Sequence, residues 1–136
     1  MSLSHTKYTK ILNPGTKIND FIIIDHIGHG GYGEVYRVID TTTAQIHAMK
    51  LERYRPYKCG LNNEIEILQN IKGDSFIHLI KSGFYDDSLQ YMIMNVYLPS
   101  IHDIWDAHHG RFDITAAFHT SLKMLSCISQ LHSLGI

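Results

Sequence analysis

The 136-residue sequence predicts an α+β fold, in which an antiparallel sheet with one crossing helix precedes a helical region. Strand-like segments and one helix follow in the order three strands, helix, two strands, and then only helices. Because strands joined by short turns pair antiparallel, this order disfavours the alternating strand–helix–strand pattern of a doubly wound sheet. An apolar share of 44% with 18% charged residues is typical of a globular chain with a buried core.

The first three strands are predicted from β-branched residues and a period of two. FIIIDHIG, which begins at Phe21, is a β-branched apolar run that ends at a glycine cluster. EVYRVID (34–40) alternates along its length, which favours a second strand over a helix. IHAMKLE (46–52) predicts a third strand with Ala48 and Lys50 on one face.

One helix and two more strands follow. GLNNEIEILQNIKG (60–73) carries apolar residues at intervals of four and three, and Gly73 is placed to end the helix. FIHLIKSGFYDDSLQYMIMNVY (76–97) predicts two strands joined by an acidic turn at residues 86–87. The predicted sheet therefore has five strands.

The helical region begins after Pro99 with the short segment SIHDIWDA (100–107). A long helix follows, with Asp113 as its N-cap and Gly135 just beyond its C-terminal end. Five apolar residues of this helix share one face, which predicts a buried stripe: Phe118, Leu122, Leu125, Ile128 and Leu131.

The glycine cluster has a spacing that occurs in two unrelated nucleotide sites. Gly28, Gly30 and Gly33 fit G-x-G-x-x-G, found in dinucleotide-binding turns and in hairpins that cover phosphates. In a dinucleotide-binding domain the third glycine opens a helix, whereas here Gly33 leads into a run of β formers. The context therefore favours a hairpin whose backbone N–H groups can approach phosphate oxygens closely, and it disfavours a dinucleotide-dependent oxidoreductase.

A lysine on the third predicted strand adds a second part of such a site. Lys50 follows the small residue Ala48, and a half-buried ammonium needs a counter-charge. Glu64, on the following helix, faces the same way as Leu61 and Leu68 and is the natural partner.

Together these motifs resemble a eukaryotic protein kinase, covering its N-lobe and the first helices of its C-lobe from about residue 11 to residue 136. LNPGTKINDFIIIDHIGHGGYGEVY, KLE, NNEIEILQNIKG, MIMNVYLPSIHDI and LHSLGI are similar to the serine/threonine-specific casein kinase I and tau-tubulin kinase group. The resemblance implies ATP and Mg²⁺ as cofactors, proteins with serine or threonine as substrates, and a monomer when complete.

The resemblance also implies a role for each site residue. The phosphate flap would comprise Ile27, Gly28, His29, Gly30, Gly31, Tyr32, Gly33, Glu34 and Val35. Ile27, Val35 and Ala48 would sandwich adenine. Lys50 would contact the α- and β-phosphates and pair with Glu64. Met94 would be the gatekeeper, and Asn95 to Tyr97 the hinge.

The resemblance divides the chain into three parts. These are an N-terminal extension that is partly disordered (1–20), an N-lobe with the ATP-binding flap and hinge (21–97), and the start of a C-lobe (98–136). The sequence ends just before the position of the His-Arg-Asp loop, and no Asp-Phe-Gly occurs, so the Mg²⁺ ligands are expected outside it. The chain alone is expected to be inactive. The alternative is a pseudokinase or truncated module that binds nucleotide or protein without catalysis.

Charge and targeting features exclude other classes. The net charge of −1 without like-charge blocks argues against a nucleic-acid-binding or membrane-surface protein. No apolar run approaches the roughly 18 residues that span a bilayer, and the start lacks a signal-peptide core. Cys59 and Cys127 lack C-x-x-C spacing and, despite ten histidines, no metal-binding motif is present, so no metal site is predicted. A cytoplasmic or nuclear protein is expected.

Overall fold

The computed structural model describes residues 12–31, 33–54 and 60–136. They form six strands and three helices: β1 (Lys17–Ile18), β2 (Phe21–Gly30), β3 (Gly33–Asp40), β4 (Ile46–Arg53), α1 (Leu61–Asn70), β5 (Leu79–Asp86), β6 (Leu89–Met94), α2 (Ile101–Ala107) and α3 (Ile114–Ser133). The chain divides into two compact units. One holds the strands and α1, and the other holds residues 71–76 with α2 and α3.

The strands form one antiparallel sheet in the order β1-β2-β3-β4-β6-β5. This architecture confirms the predicted α+β fold, with α1 as the helix between β4 and β5. The sheet has one strand more than predicted, because Lys17 and Ile18 pair with Ile22 and Phe21 as β1. A strand of two residues is too short to show a period of two, which is why the pattern did not reveal it. Residues 12–20 thus contribute to the sheet, and residues 1–11 lie outside the described part.

Both faces of the sheet carry apolar residues. One face holds the main core: Ile18, Phe21, Ile23, Tyr36, Val38, Met49, Leu51, Tyr91 and Ile93. The other face packs under α1 through Met92, which contacts Leu61 and Ile65 of the helix. Successive residues of a strand point to opposite faces, so Tyr91 and Ile93 enter one cluster while Met92 enters the other.

The turn between β1 and β2 contacts β5 at the far edge of the sheet and the neighbouring strand β6. The side-chain amide of Asn19 donates to the backbone oxygen of Phe84 at 3.2 Å and to the hydroxyl of Tyr91 at 3.0 Å. Lys81 of β5 forms an ion pair of 2.9 Å with Asp20. These contacts bring the two edges of the sheet, at β1 and β5, close together, so the sheet is curled.

Two predicted boundaries inside this unit are wrong. Helix α1 ends at Asn70, so Gly73 is not the residue directly beyond it as the sequence predicts, and the side-chain amide of Asn70 donates to the carbonyl of Glu66 in the last turn. The β5–β6 turn consists of residues 87–88, because the carboxylate of Asp86 accepts hydrogen bonds from Ser88 and closes the turn. The Ser88 hydroxyl and backbone N–H lower the pKa of Asp86 below its ordinary value.

The second unit begins its helices where the sequence predicts. Ser100 and Asp103 form a reciprocal capping box at the start of α2. Asp113 accepts a hydrogen bond from the backbone of Ala116 as the N-cap of α3, and Gly135 follows the helix with a φ of +75°.

The predicted burial of the α3 stripe is wrong for most of its members. Phe118 is 64% exposed and Leu125 is 63% exposed, and Leu122 and Ile128 are exposed as well. Within the described residues, most of this apolar face is therefore exposed rather than buried. In that part of the chain, no helix combines the length and apolar character needed to cross a membrane. Cys127 is a free thiol, and Cys59 is outside the described residues.

The conformation of Gly33 gives a first prediction. Its φ is +121°, and a Cβ there would lie 2.4 Å from the backbone oxygen of Leu51. Gly33→Ala should therefore lower the unfolding free energy by about 2–4 kcal/mol, from the left-handed backbone and the steric overlap together. Gly31→Ala is the matched control, because a Cβ at Gly31 meets nothing within 4 Å. Urea denaturation measures both, and equal losses would contradict the steric argument.

Asn19 gives a second prediction. Its φ is +51°, so Asn19→Gly keeps the backbone unstrained and removes only the bonds to Phe84 and Tyr91. We expect a loss of about 1–2 kcal/mol for Asn19→Gly, and about 1 kcal/mol more for Asn19→Ala, which adds backbone strain. Thermal denaturation by circular dichroism checks the order. A glycine variant as stable as the original chain would show that the tie to β5 contributes nothing.

Candidate nucleotide-binding site

The glycine cluster forms the closed end of the β2–β3 hairpin. His29 pairs with Glu34 and Gly30 pairs with Gly33, next to the turn. Among the described flap glycines, Gly33 alone is required by the fold, through its positive φ and its approach to Leu51.

The other described flap glycines border open space. A Cβ added at Gly30 or Gly31 would meet nothing within 4 Å, and one at Gly28 would only touch Val35 at 3.9 Å. Packing among the described residues therefore does not explain why these positions are glycines. The absence of side chains leaves the backbone open to a close-approaching ligand, as a phosphate-covering hairpin requires.

A bulge in β2 brings the predicted adenine contacts together. His26 pairs with Tyr36 and Gly28 pairs with Val35, so β2 has one extra residue, Ile27, at this point. Ile27 and Gly28 together lie opposite Val35. A bulge re-aims the chain locally, and here it does so directly before the open glycines.

The register of the sheet aligns the flap with Lys50. Gly28, Val35, Lys50 and Met92 are successive partners across β2, β3, β4 and β6. Side chains in one such row lie on the same face of the sheet. The apolar contact Val35 and the cation Lys50 are therefore direct cross-strand neighbours.

The next row of the same face carries Ala48 and Met94. These residues pair with each other across β4 and β6, two positions from Lys50 and Met92. Ala48 is buried at 3% exposure, and Met94 is half-buried against the cluster under α1. A small residue and an unbranched apolar residue thus continue the face beyond Lys50.

Lys50 and Glu64 form an ion pair, as the sequence predicts. The ammonium of Lys50 donates to Oε2 of Glu64, which α1 places above β4. The Lys50 side chain is 17% exposed, so its charge is largely removed from water and depends on this carboxylate. An ammonium has three N–H donors, and Glu64 accepts from one of them. Among the described residues no other acceptor is bonded to this ammonium, so further donors remain for an anion such as a phosphate.

Two more polar contacts join α1 to the sheet, and neither was predicted. The carboxylate of Glu52 accepts a hydrogen bond of 2.8 Å from the backbone N–H of Leu61 at the start of α1. The side chains of Gln90 on β6 and Asn62 on α1 also form a hydrogen bond. The period of two in KLE places Glu52 on the same face as Lys50, and this pattern could have indicated that Glu52 also contacts α1.

The side chains of Glu34 and His29 contact His26 and not Lys50 or Glu64. Glu34 precedes Val35 on β3, so its side chain lies on the face opposite to Lys50, where Oε2 is 2.6 Å from Nε2 of His26. The His26 ring also meets Tyr36 edge-on at 5.3 Å and stacks on exposed His29 at 6.1 Å. The Glu34 side chain thus links β3 to β2 of the hairpin. It does not lie on the Lys50 face, so only the backbone of Glu34 can belong to the predicted flap.

The remaining predicted residues are placed as follows. Asn95 and Tyr97 are exposed and follow β6 outside any helix or strand. They belong to different compact units, Asn95 to the sheet unit and Tyr97 to the helical unit. Tyr32 lies outside the described residues. The described residues contain no group of three histidine, cysteine or acidic side chains that could hold a metal ion.

Comparison with known proteins identifies the family. The protein kinase domain family matches residues 21–136. The chain is 30% identical to the serine/threonine-protein kinase RAD53 of Saccharomyces cerevisiae over 98% of its own length and 17% of that protein. It is 29% identical to a probable casein kinase I homolog of Encephalitozoon cuniculi, over 88% of this chain and 38% of the relative. It is 20% identical to the probable serine/threonine-protein kinase zyg-1 of Caenorhabditis elegans, over 90% and 17%.

The chain thus spans between 17% and 38% of the lengths of these three relatives. The family match includes the whole glycine hairpin, Lys50 and Glu64. The antiparallel sheet with α1 and the following helices agrees with the N-lobe and first C-lobe helices of that family. The chain belongs to the protein kinase domain family.

Proposed function

We propose that this chain binds ATP on the Lys50 face of its sheet and is the nucleotide-binding part of a serine/threonine protein kinase. The observation that carries the proposal is the Lys50–Glu64 ion pair, located in the same cross-strand row as Gly28 and Val35. The Lys50 ammonium has donors that no described residue uses, and it lies beside an open glycine backbone and apolar side chains. Together these groups provide complementary contacts for phosphates and for a purine ring.

Each group has a defined part in this proposal. The ammonium of Lys50 binds the α- and β-phosphates while Glu64 holds it in place. The flap backbone at Gly30 and Gly31 covers the phosphates. Ile27, Val35 and Ala48 contact adenine, Met94 limits the depth of its pocket, and the backbone of residues 95–97 forms its hydrogen bonds.

Mg²⁺ belongs to the proposal as the companion of the ATP phosphates, whose charge it neutralises. Its protein ligands are proposed to lie outside this sequence, in the longer protein. Lys50 is the group within the described site that opposes the negative charge of the phosphates.

The acceptor is proposed to be a serine or threonine hydroxyl of a protein, within the casein kinase I and tau-tubulin kinase group. The yeast relative, a serine/threonine-protein kinase, and the nematode relative, a probable serine/threonine-protein kinase, support this acceptor. The relative from Encephalitozoon cuniculi, a probable casein kinase I homolog, supports the group. Transfer of the γ-phosphate is proposed for a longer protein that contains this chain.

ATP binding is tested by ligand-linked stability. ATP at a hundred times its dissociation constant should raise the unfolding free energy of the chain by about 2.7 kcal/mol. Lys50→Met should remove most of this effect, since the phosphates lose their cation. Lys81→Met is the matched control, because Lys81 also forms an ion pair on the sheet but lies at β5, away from the site. Thermal denaturation with and without ATP measures the shifts, and equal ATP shifts for both variants would contradict the role of Lys50.

Phosphoryl transfer is tested in a longer protein that contains this chain. We expect it to phosphorylate serine and threonine but not tyrosine in a mixed peptide substrate, as read by mass spectrometry. Lys50→Met should lower transfer at least about a hundredfold, because positioned charges stabilise the transition state of this reaction, while the fold measured by circular dichroism is retained. ATP binding without any transfer would favour the alternative, a nucleotide-binding module without catalysis.

A further inference from the structure

Polar contacts between α1 and the sheet are concentrated in the first turn of the helix. Leu61, Asn62 and Glu64 contact Glu52, Gln90 and Lys50, respectively. Beyond that turn the contacts of α1 with the other described residues are apolar, through Ile65 and the partly buried Leu68. Apolar contacts tolerate sliding, whereas a hydrogen bond requires a defined distance and direction. The first turn therefore sets the position of the helix along the sheet.

Glu52 makes the contact that fixes the very start of α1. The first N–H groups of a helix have no partner within it, and a carboxylate there also interacts favourably with the helix dipole. Glu52 supplies that carboxylate from β4, at 2.8 Å from the N–H of Leu61. Gly60 allows the approach, because a Cβ there would lie 2.6 Å from Oε1 of Glu52.

Glu52 and Lys50 are two residues apart on the same strand and hold residues three apart in α1. Glu52 binds Leu61, and Lys50 binds Glu64, one turn further along. With one end of the turn fixed by Glu52, rotation or sliding of α1 would have to break that bond before it separated Glu64 from Lys50. The two contacts therefore support one another.

We propose that Glu52 is a positioning residue that anchors the start of α1 to β4 and so keeps Glu64 in contact with Lys50. The inference rests on the proposed function only in its consequence for ATP binding. Glu52, two residues after Lys50 on β4, is thus a contact that fixes α1 from within the sheet unit.

Three variants of the chain test this role. Glu52→Ala should weaken ATP binding about tenfold, as expected for the loss of one hydrogen bond to a charged group. Glu52→Gln should stay within about threefold of the original chain, because its amide oxygen can still accept the Leu61 N–H. Glu66→Ala, an exposed acidic residue of the same helix, is the control and should leave ATP affinity unchanged. Titration with a fluorescent ATP analogue measures all three.

A double variant separates positioning from general stability. If Glu52 acts through Glu64, Glu52→Ala should cause no further loss of affinity once Glu64→Ala has removed the ion pair. An equal tenfold loss in both backgrounds would overturn the proposal, as would Glu52→Ala with unchanged affinity. Failure of Glu52→Gln to restore binding would also count against it, because the hydrogen bond would then not be the relevant interaction.

Hydrogen exchange provides a readout that does not depend on ATP. The Leu61 amide should lose protection in Glu52→Ala and keep it in Glu52→Gln. In addition, the losses of unfolding free energy caused by Glu52→Ala and Glu64→Ala should not add up in the double variant. If the original chain binds no ATP, the proposed function fails, but these two measurements still decide whether Glu52 positions α1. Unchanged Leu61 protection together with additive free energies would overturn the inference on its own.

Discussion

The ion pair between Lys50 and Glu64 is the interaction on which the candidate site depends. A lysine with most of its side chain removed from water is unfavourable unless an anion is close. That anion is on a helix, so the helix must dock against the sheet, and Met92 under Leu61 and Ile65 provides the apolar surface for docking. The charge balance of the site therefore depends on the packing of α1 against the sheet.

The antiparallel register distributes residues between two faces with different tasks. Met49 and Leu51 enter the main core, while Lys50 between them points to the face that carries α1 and the glycine hairpin. A slip of one residue in β4 would place the ammonium in the main core and move Met49 and Leu51 to the face under α1. The apolar alternation that stabilises the sheet thus also specifies where the cation lies.

The glycine hairpin combines two separate requirements. Gly33 is needed by the fold because of its φ and its contact with Leu51, whereas Gly30 and Gly31 leave space that the described fold does not use. The contact between His26 and Glu34 on the opposite face joins the two strands of the hairpin beside this open backbone. The hairpin is therefore braced from one side and accessible from the other, which suits a cover for phosphates.

Local pattern and spacing determined the order of strands and helices along the chain after β1, because periods of two and 3.6 distinguish strands from helices and report which residues share a face. The glycine spacing predicted the hairpin, and the shared faces predicted Lys50 with its partner Glu64. Only the tertiary structure decided features that depend on distant partners. A two-residue strand forms because β2 is there to pair with it, and Glu52 caps α1 because Gly60, which has no side chain, leaves room for the Glu52 carboxylate. Burial of the α3 stripe was mispredicted for the same reason: a helix pattern shows which face is apolar, but whether that face is covered depends on what packs against it.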